Sequence, residues 1–172
     1  GKLPSIHYEF RGIKKDGGTI DIEAYGYATT YNGRSAVIGT LLDITKKKQS
    51  DLMIKQAEQL YRGIFENAIE GIFQTTVDGK TIASNPALAT MLGYSSPEEY
   101  IKSVSDLKSQ HYVNPDHRQV FIDTIEREGI ARSFECQLYK KNLDILWVVM
   151  NARAVRNQDG SFEVDGGLLL DA

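Results

Sequence analysis

Hydrophobic and polar residues alternate along residues 134–155, which predicts antiparallel β-strands there. Leu146, Val148 and Met150 fall on one face of a strand, and the residues between them fall on the other. The segment FECQLYKK before them alternates in the same way. The turn-forming residues 142–144 separate the two segments, so the pattern predicts a β-hairpin.

The same pattern occurs earlier in the chain, because residues 8–43 repeat as residues 134–171. A two-residue insertion before the last strand of the second copy keeps the two copies aligned to their ends. In this alignment Asp43 corresponds to Asp171. Each copy is therefore predicted to form three consecutive antiparallel strands. Residues 61–133 have no counterpart before the first copy, so the chain is predicted to hold one whole unit and the last part of another.

The segment before the second copy predicts a hairpin followed by helices. Two short apolar runs flank the turn residues Asp78-Gly79. Asn85 then has the character of an N-cap with proline after it, and Ser96 precedes a second helix start. Residues 116–128 place apolar side chains along one side of a longer helix that ends at Gly129. The whole unit is predicted as two strands, several helices and three strands.

Residues 46–64 connect the two copies and are predicted to form an amphipathic helix. Apolar residues recur there at steps of four, three and four, the spacing of a coiled-coil seam. The seam consists of Met53, Ala57, Leu60 and Ile64. Two interpretations stay open for it: self-association of two chains, or packing of the helix on the sheet of its own domain.

Composition narrows the class of protein. With 41% hydrophobic residues, 25% charged residues and a formal net charge of -3, the chain is neither disordered nor membrane-spanning in character. The basic residues are scattered, so we expect no nucleic-acid partner. No run of roughly 18 apolar residues and no signal peptide occurs, so we expect no membrane contact. The chain begins with Gly1 rather than Met, and we expect it to be an excerpt of a longer protein.

Several short segments, in this order along the chain, resemble PAS sensor domains with their PAC tails. The segments are Gly39–Thr45, Glu70–Phe73, Asp78-Gly79, Asn85-Pro86-Ala87, Leu92–Ser95, and Lys140-Lys141 with Trp147.

The resemblance implies an α+β fold with a five-stranded antiparallel sheet in the order 2-1-5-4-3 and helices on one face around a small pocket. Residues 1–45 are then the C-terminal strands of a preceding PAS domain, an N-terminal three-stranded PAC fragment. Residues 46–64 are a connecting signalling helix, and residues 65–172 are a complete PAS domain. Three strands without helices expose an apolar face, so we expect residues 8–43 to be covered by the second unit, by a partner chain or by strand exchange.

The resemblance also implies a role in signal transduction. Such domains are cytoplasmic sensory modules of histidine kinases, cyclic-di-GMP enzymes or transcriptional regulators. They commonly form homodimers, here through the connecting helix or the sheet, and neighbour other PAS and output domains of the same chain. In the family, the sequence Asp-Ile-Thr at the end of the domain connects the last strand to a signalling helix. The residues at this exit are Asp43, Ile44 and Thr45, with Asp171 at the second exit.

The cofactors of related domains are not expected here. Photoactive flavin-binding members carry a reactive cysteine in the helical middle, but residues 103–116 contain none and Cys136 lies on a strand, where it is expected to be buried. Haem-binding members carry an axial histidine where this chain has Phe121. His111 and His117 have polar neighbours and are expected to be exposed. Binding of haem or of photoactive flavin is thus disfavoured, whereas binding of an unidentified small molecule stays an open alternative.

Twelve residues are candidates for lining a pocket. The apolar ones are Met91, Leu107, Phe121, Ile125, Phe134, Leu138, Val148 and Met150. The polar ones, which orient a ligand if they turn inward, are Gln74, Asn85, Gln137 and Asn151. The alternative is that these apolar side chains fill the core and that Asn85 serves as a helix cap.

No catalytic motif, phosphate-binding loop or metal-ligand pattern occurs, so we expect neither an enzyme nor a metal site in this segment. A kinase or cyclase domain is expected only outside it. Two functions remain: a sensor that converts binding of a small ligand or partner into movement of the flanking helices, and a ligand-free scaffold that sets dimer geometry and relays signals between tandem domains.

Overall fold

The computed structural model describes residues 5–158 and 160–170. The chain divides into two compact units, the first ending at Leu60 and the second beginning at Tyr61. The elements follow in the order β1 Ser5–Ile13, β2 Thr19–Tyr31, β3 Arg34–Asp43, α1 Thr45–Asn67, β4 Gly71–Thr76, β5 Thr81–Ser84, α2 Pro86–Met91, α3 Pro97–Ser103, α4 Leu107–Gln110, α5 Pro115–Glu128, β6 Ile130–Tyr139, β7 Ile145–Arg156 and β8 Phe162–Leu170.

The first unit contains a three-stranded antiparallel sheet in the order β1-β2-β3. Both predicted turns are present. Gly17 adopts a φ of 85° in the first turn, and Asn32 and Gly33 have φ values of 49° and 72° in the second. Two successive positive φ values are what a two-residue hairpin requires, and Asn-Gly tolerates them at low cost. The predicted meander of three strands is confirmed.

One face of this sheet carries the apolar side chains that the repeat predicts. Tyr8 and Leu41 both lie opposite Ala24, one on each neighbouring strand. The side chains of Tyr8 and Leu41 are exposed, whereas Ala24 is buried between them. That another element covers this apolar face stays a prediction.

Helix α1 is longer than predicted, extending from Thr45 to Asn67 rather than over residues 46–64. Three lysines occupy its first turn, although the positive end of the helix dipole disfavours cations there. The acidic edge of the sheet compensates, because Lys48 Nζ lies 2.7 Å from Glu9 Oε2 and 3.9 Å from Asp21 Oδ1.

The second unit contains a five-stranded antiparallel sheet in the order β5-β4-β8-β7-β6, which is 2-1-5-4-3 in the unit's own numbering. The predicted fold is therefore confirmed. On β6 and β7 the side chains of Cys136, Leu138, Val148 and Met150 are buried, and Trp147 on the opposite face is exposed. The alternation along these strands thus separates a core face from an outer face.

The helices of the second unit cover the core face, and their predicted caps are present. Asn85 accepts the Leu88 N–H at 3.0 Å and Ser96 accepts the Glu99 N–H at 3.2 Å, each just before a proline that opens the helix. Helix α5 begins at Pro115, one residue before the predicted start, with Asn114 as its cap. It ends at Gly129, which adopts a φ of 76°.

Strand pairing shows that the sequence alignment of the two copies is shifted by one residue at the last strand. Ala24 lies opposite Leu41 in the first unit, and its equivalent Met150 lies opposite Leu168 in the second. Asp43 therefore corresponds to Leu170, not to Asp171 as the aligned aspartates predicted. The two aspartates match in sequence but not in position, because the hairpin sets the hydrogen-bond register of the last strand. Asp171 itself lies outside the described residues.

Candidate functional site

The interior of the second unit holds a cavity of about 30 Å³ between the helices and the sheet. This volume is close to that of one water molecule and far below the several hundred Å³ of a typical metabolite site. The cavity is lined by Phe73, Thr75, Leu88, Tyr100, Leu107, His111, Tyr112, Arg118, Leu138, Met150 and Leu168.

The predicted apolar candidates lie in and around this interior. Leu107, Leu138 and Met150 line the cavity. The remaining five pack beside it: Phe121, Ile125 and Val148 are buried in the core, and Met91 and Phe134 are partly buried against it. Side chains thus fill most of the space that a ligand pocket would occupy.

Asn85 is fully buried and joins four segments of the second unit. Its Oδ1 accepts the N–H groups of Ile72 at 2.8 Å and Leu88 at 3.0 Å. Its Nδ2 donates to the carbonyl oxygens of Phe65 at 3.1 Å and Glu70 at 2.9 Å. The side chain therefore connects the end of α1, the loop before β4, strand β4 and the start of α2, and the alternative of a helix cap is confirmed for it.

The other three polar candidates do not reach the cavity. Gln74 donates to Glu163 Oε2 at 3.0 Å, and Asn151 accepts the Ser133 N–H at 2.9 Å. Gln137 alternates with the buried Cys136 and Leu138, so its side chain lies on the outer face of β6.

His111 is buried, and the expectation that it is exposed was wrong. Its polar neighbours suggested a surface loop, but an isolated bridge between Tyr112 and Leu138 attaches this segment to the sheet. The His111 carbonyl accepts the Tyr139 N–H at 2.8 Å, and its ring packs 5.6 Å from that of Tyr100. Burial lowers the pKa of His111 to about 4, so the ring is neutral at neutral pH.

Two further buried polar residues at the cavity carry no signal in the local sequence. Arg118 is only 4% exposed although it lies in a polar stretch of α5, and its guanidinium donates to the Thr76 carbonyl oxygen at 2.8 Å. The Tyr112 hydroxyl contacts Met150 Sδ at 4.0 Å, and burial raises its pKa. The sequence of the first turn of α5 is typical of a solvated helix start, and only the hydrogen bonds of Arg118 to the end of β4 show that this side chain turns inward.

A larger groove of about 620 Å³ lies on the outer face of the five-stranded sheet, beside the end of α1. Two of the candidates, Gln74 and Asn151, line this groove rather than the interior. Its other lining residues are Tyr61, Ile64, Phe65, Glu70, Ile72, Phe73, Ala83, Ile130, Ala131, Arg132, Ala152, Arg153, Asp165, Gly166 and Gly167. The twelve candidates are thus divided between two sides of one sheet.

The predicted exit at residues 43–45 forms a tight junction in the first unit. Asp43 Oδ1 accepts the Thr45 N–H at 3.0 Å, and hydrogen bonds from the Thr45 side chain and from its backbone lower the pKa of Asp43. Thr45 Oγ1 accepts the Asp21 N–H at 2.9 Å, while Ile44 is buried and donates its N–H to the Asp21 carbonyl oxygen. Strand β3 is thereby joined to α1 without a flexible residue between them.

The apolar seam of α1 is open to solvent, and the helix has no buried residue. Met53, Leu60 and Ile64 are each more than 60% exposed, and Ala57 is exposed as well. The seam is therefore available for packing against another helix.

The described residues contain neither a metal-binding cluster nor a helix that could cross a membrane. No three side chains of the types His, Cys, Asp and Glu approach one another closely enough to hold a metal ion in that part of the chain. Within the same residues, none of the helices combines the length and the apolar character that crossing a bilayer requires.

Comparison with known proteins gives a consistent result. The family model described as "PAS domain" matches residues 69–164, more than half of the chain. Probable diguanylate cyclase DgcE of Escherichia coli (strain K12) is 29% identical over 108 residues, which cover 63% of this chain and 10% of that protein. Sensor histidine kinase TmoS of Ectopseudomonas mendocina is 24% identical over 104 residues, 58% of this chain and 10% of that protein.

The fold agrees with a solved structure as well. The crystal structure of the PAS domain of an HTR-like protein from Haloarcula marismortui superposes with a TM-score of 0.59 at 14% identity, covering 72% of this chain and 99% of that one. The chain matches only about a tenth of the length of the two curated relatives.

Proposed function

Because the chain belongs to the PAS domain family, similar to segments of a sensor histidine kinase and a probable diguanylate cyclase, we propose that it is a non-catalytic cytoplasmic relay that converts binding of a small ligand or a partner into movement of its flanking helices. The output, a histidine kinase or cyclic-di-GMP domain, then lies elsewhere in a longer protein.

The bonding of Asn85 carries this proposal. One buried side chain holds the last turn of α1 through the Phe65 carbonyl and the first turn of α2 through the Leu88 N–H. Helix α2 in turn packs Leu88 against the interior cavity. A change in core packing therefore has a short covalent and hydrogen-bonded route to α1, and a helix transmits displacement better than a flexible linker.

The size of the interior cavity favours a partner or a very small ligand as the input. A space of about 30 Å³ does not admit a nucleotide, haem or flavin without rearrangement of the core. A tenfold change in output requires a preference of only about 1.4 kcal/mol for one of two arrangements, which a few altered contacts supply.

The exposed seam and the outer groove support dimerisation as part of the same function. Met53, Ala57, Leu60 and Ile64 present an apolar stripe along α1, and the groove beside Tyr61 and Phe65 is lined by both apolar and charged residues. Burying such surfaces between two chains stabilises a dimer by roughly 25 cal/mol per Å² of apolar area before the costs of association.

The second candidate function is a ligand-free scaffold that sets dimer geometry between tandem domains. The nearly filled core favours it, because the apolar side chains predicted for a pocket pack against one another instead. Native mass spectrometry tests the ligand-binding form of the sensor. A retained ligand supports it, whereas a ligand-free dimer is expected of the scaffold and of a sensor whose input is a partner.

Insertions in α1 test the relay. One to four alanines placed after Gln56, in the longer protein that contains this chain, rotate everything beyond them by about 100° per residue. We expect one and two residues to disturb regulation of the kinase or cyclase output, and four residues to restore it in large part. If all four variants were regulated like the protein without an insertion, the helix would not carry the signal.

A further inference from the structure

Arg118 is a buried cation whose charge has no partner of opposite sign. Its guanidinium makes one good hydrogen bond, Nη2 to the Thr76 carbonyl oxygen at 2.8 Å, and a longer one to Thr75 Oγ1 at 3.5 Å. Its buried Nε has no hydrogen-bond partner. Among the described residues, no carboxylate forms an ion pair with it. A buried cation in this condition is costly unless something else compensates it.

Two acidic residues that share a surface groove with Arg118 are engaged elsewhere. Asp78 and Asp106 line a surface groove that also reaches Arg118. Asp78 pairs with Lys80 at 3.6 Å, and Asp106 accepts the Lys108 N–H and the Ser109 hydroxyl at 3.0 and 2.6 Å. Neither carboxylate therefore neutralises the guanidinium.

The interior cavity lies against the same guanidinium. Arg118 lines it together with the polar residues Thr75, Tyr100, His111 and Tyr112 and with apolar side chains of the core. The Tyr112 hydroxyl oxygen interacts with the Arg118 guanidinium, and its proton faces only Met150 Sδ at 4.0 Å, so the hydroxyl is free to donate a stronger hydrogen bond. The cavity thus combines a fixed positive charge with one available hydroxyl donor in a space for one small group.

We propose that this cavity binds one small monovalent anion, of the size of a halide or formate, held by the Arg118 guanidinium with the Tyr112 hydroxyl. Hydrogen bonds from a charged donor to an anion are about twice as strong as neutral ones, and burial strengthens them further. The site goes beyond the relay proposed above and does not depend on it, since binding to the second unit is measured directly.

The test uses bromide and formate on the whole chain, with gluconate as a large anion at equal ionic strength. We expect the thermal midpoint to rise in a saturable way with bromide and with formate, and not with gluconate. Arg118→Gln is expected to lose both responses. Arg127→Gln, which removes an exposed arginine of the same helix, is the matched control and is expected to keep them.

Crystals soaked in bromide give a readout that does not depend on the folding of a variant. We expect an anomalous peak inside the cavity, within hydrogen-bonding distance of Arg118. The proposal would be overturned if the responses to bromide, formate and gluconate were equal, or if the cavity showed no peak. Arg118 would then have only a structural role, as a hydrogen-bond donor to the Thr76 carbonyl oxygen. A response to bromide alone would restrict the site to halides, and one to formate alone would restrict it to carboxylates.

Discussion

Asn85 Nδ2 lies 3.1 Å from the Phe65 carbonyl oxygen, so the end of helix α1 is held by a side chain that also caps helix α2. The carbonyl groups of a last helical turn have no partner within the helix. Supplying that partner from the core makes the position of α1 sensitive to the packing of the domain.

Replacing Asn85 by alanine should therefore destabilise the second unit strongly. The change leaves the buried N–H groups of Ile72 and Leu88 without their acceptor, and we expect a loss of about 2–4 kcal/mol in the free energy of unfolding. Urea denaturation measures it. Asn142→Ala, in an exposed turn, is the control and should cost less than about 1 kcal/mol. Similar losses for both variants would refute the special role of Asn85.

Gly166 should not tolerate a side chain. A Cβ atom there would lie 2.4 Å from Phe73 Cζ and 2.9 Å from Ala152 Cβ, so Gly166→Ala must displace the Phe73 ring. We expect a destabilisation of about 1–3 kcal/mol by overpacking. Gly63→Ala in α1, where nothing lies within 4 Å of the new atom, should instead stabilise by about 0.5–1 kcal/mol. Thermal or urea denaturation of the two variants measures these changes in stability. A Gly166→Ala variant as stable as the unsubstituted protein would contradict the packing described.

His111 should make the fold sensitive to mild acid. Its pKa in the fold is about 4, against an ordinary value of 6.5, because burial penalises the charged ring. The unfolded chain therefore binds a proton first, and stability should fall as the pH drops from about 6.5 to about 4. NMR of the ring protons should show no titration of His111 above pH 5. Titration near pH 6.5 would mean that the ring is exposed.

Glu99 should retain its charge down to very low pH. The Lys141 ammonium and the N–H and hydroxyl of Ser95 lower its pKa to about 2. Because the pKa is lower in the fold than in the unfolded chain, its contribution is complete above pH 4.5 and is lost as the pH falls toward 2. In Lys141→Met the carboxyl pKa, followed by NMR, should rise. An unchanged pKa would contradict the ion pair.

Cys136 should be inert in the native protein. It is fully buried on β6, and desolvation raises the pKa of its thiol to about 12, so almost no thiolate is present. A thiol reagent should react with it only after unfolding in urea. Reaction of the folded protein at the rate of a free thiol would contradict the packing of β6.

The strands, turns and caps were predictable because each depends on local sequence. Alternation separates Val148 from Trp147, and Asn32-Gly33 marks a turn by its backbone freedom alone. The site was harder, since burial of a polar residue depends on which distant element packs on it. The sequence around His111 is typical of a solvated loop, and its burial depends on the bridge between Tyr112 and Leu138. Arg118 has the sequence context of an ordinary helix start, and its burial depends on the hydrogen bond to the Thr76 carbonyl oxygen in β4.

The central claim is that Asn85 fixes the end of α1 to the domain core. The most direct measurement is the distance distribution between spin labels on Arg62→Cys and Gln119→Cys, two exposed helical positions of the second unit, by pulsed electron resonance. We expect one narrow distribution in the doubly labelled protein without a further substitution and in its Asn142→Ala variant. In the Asn85→Ala variant we expect a broadened or shifted distribution. An unchanged distribution in folded Asn85→Ala would contradict the account.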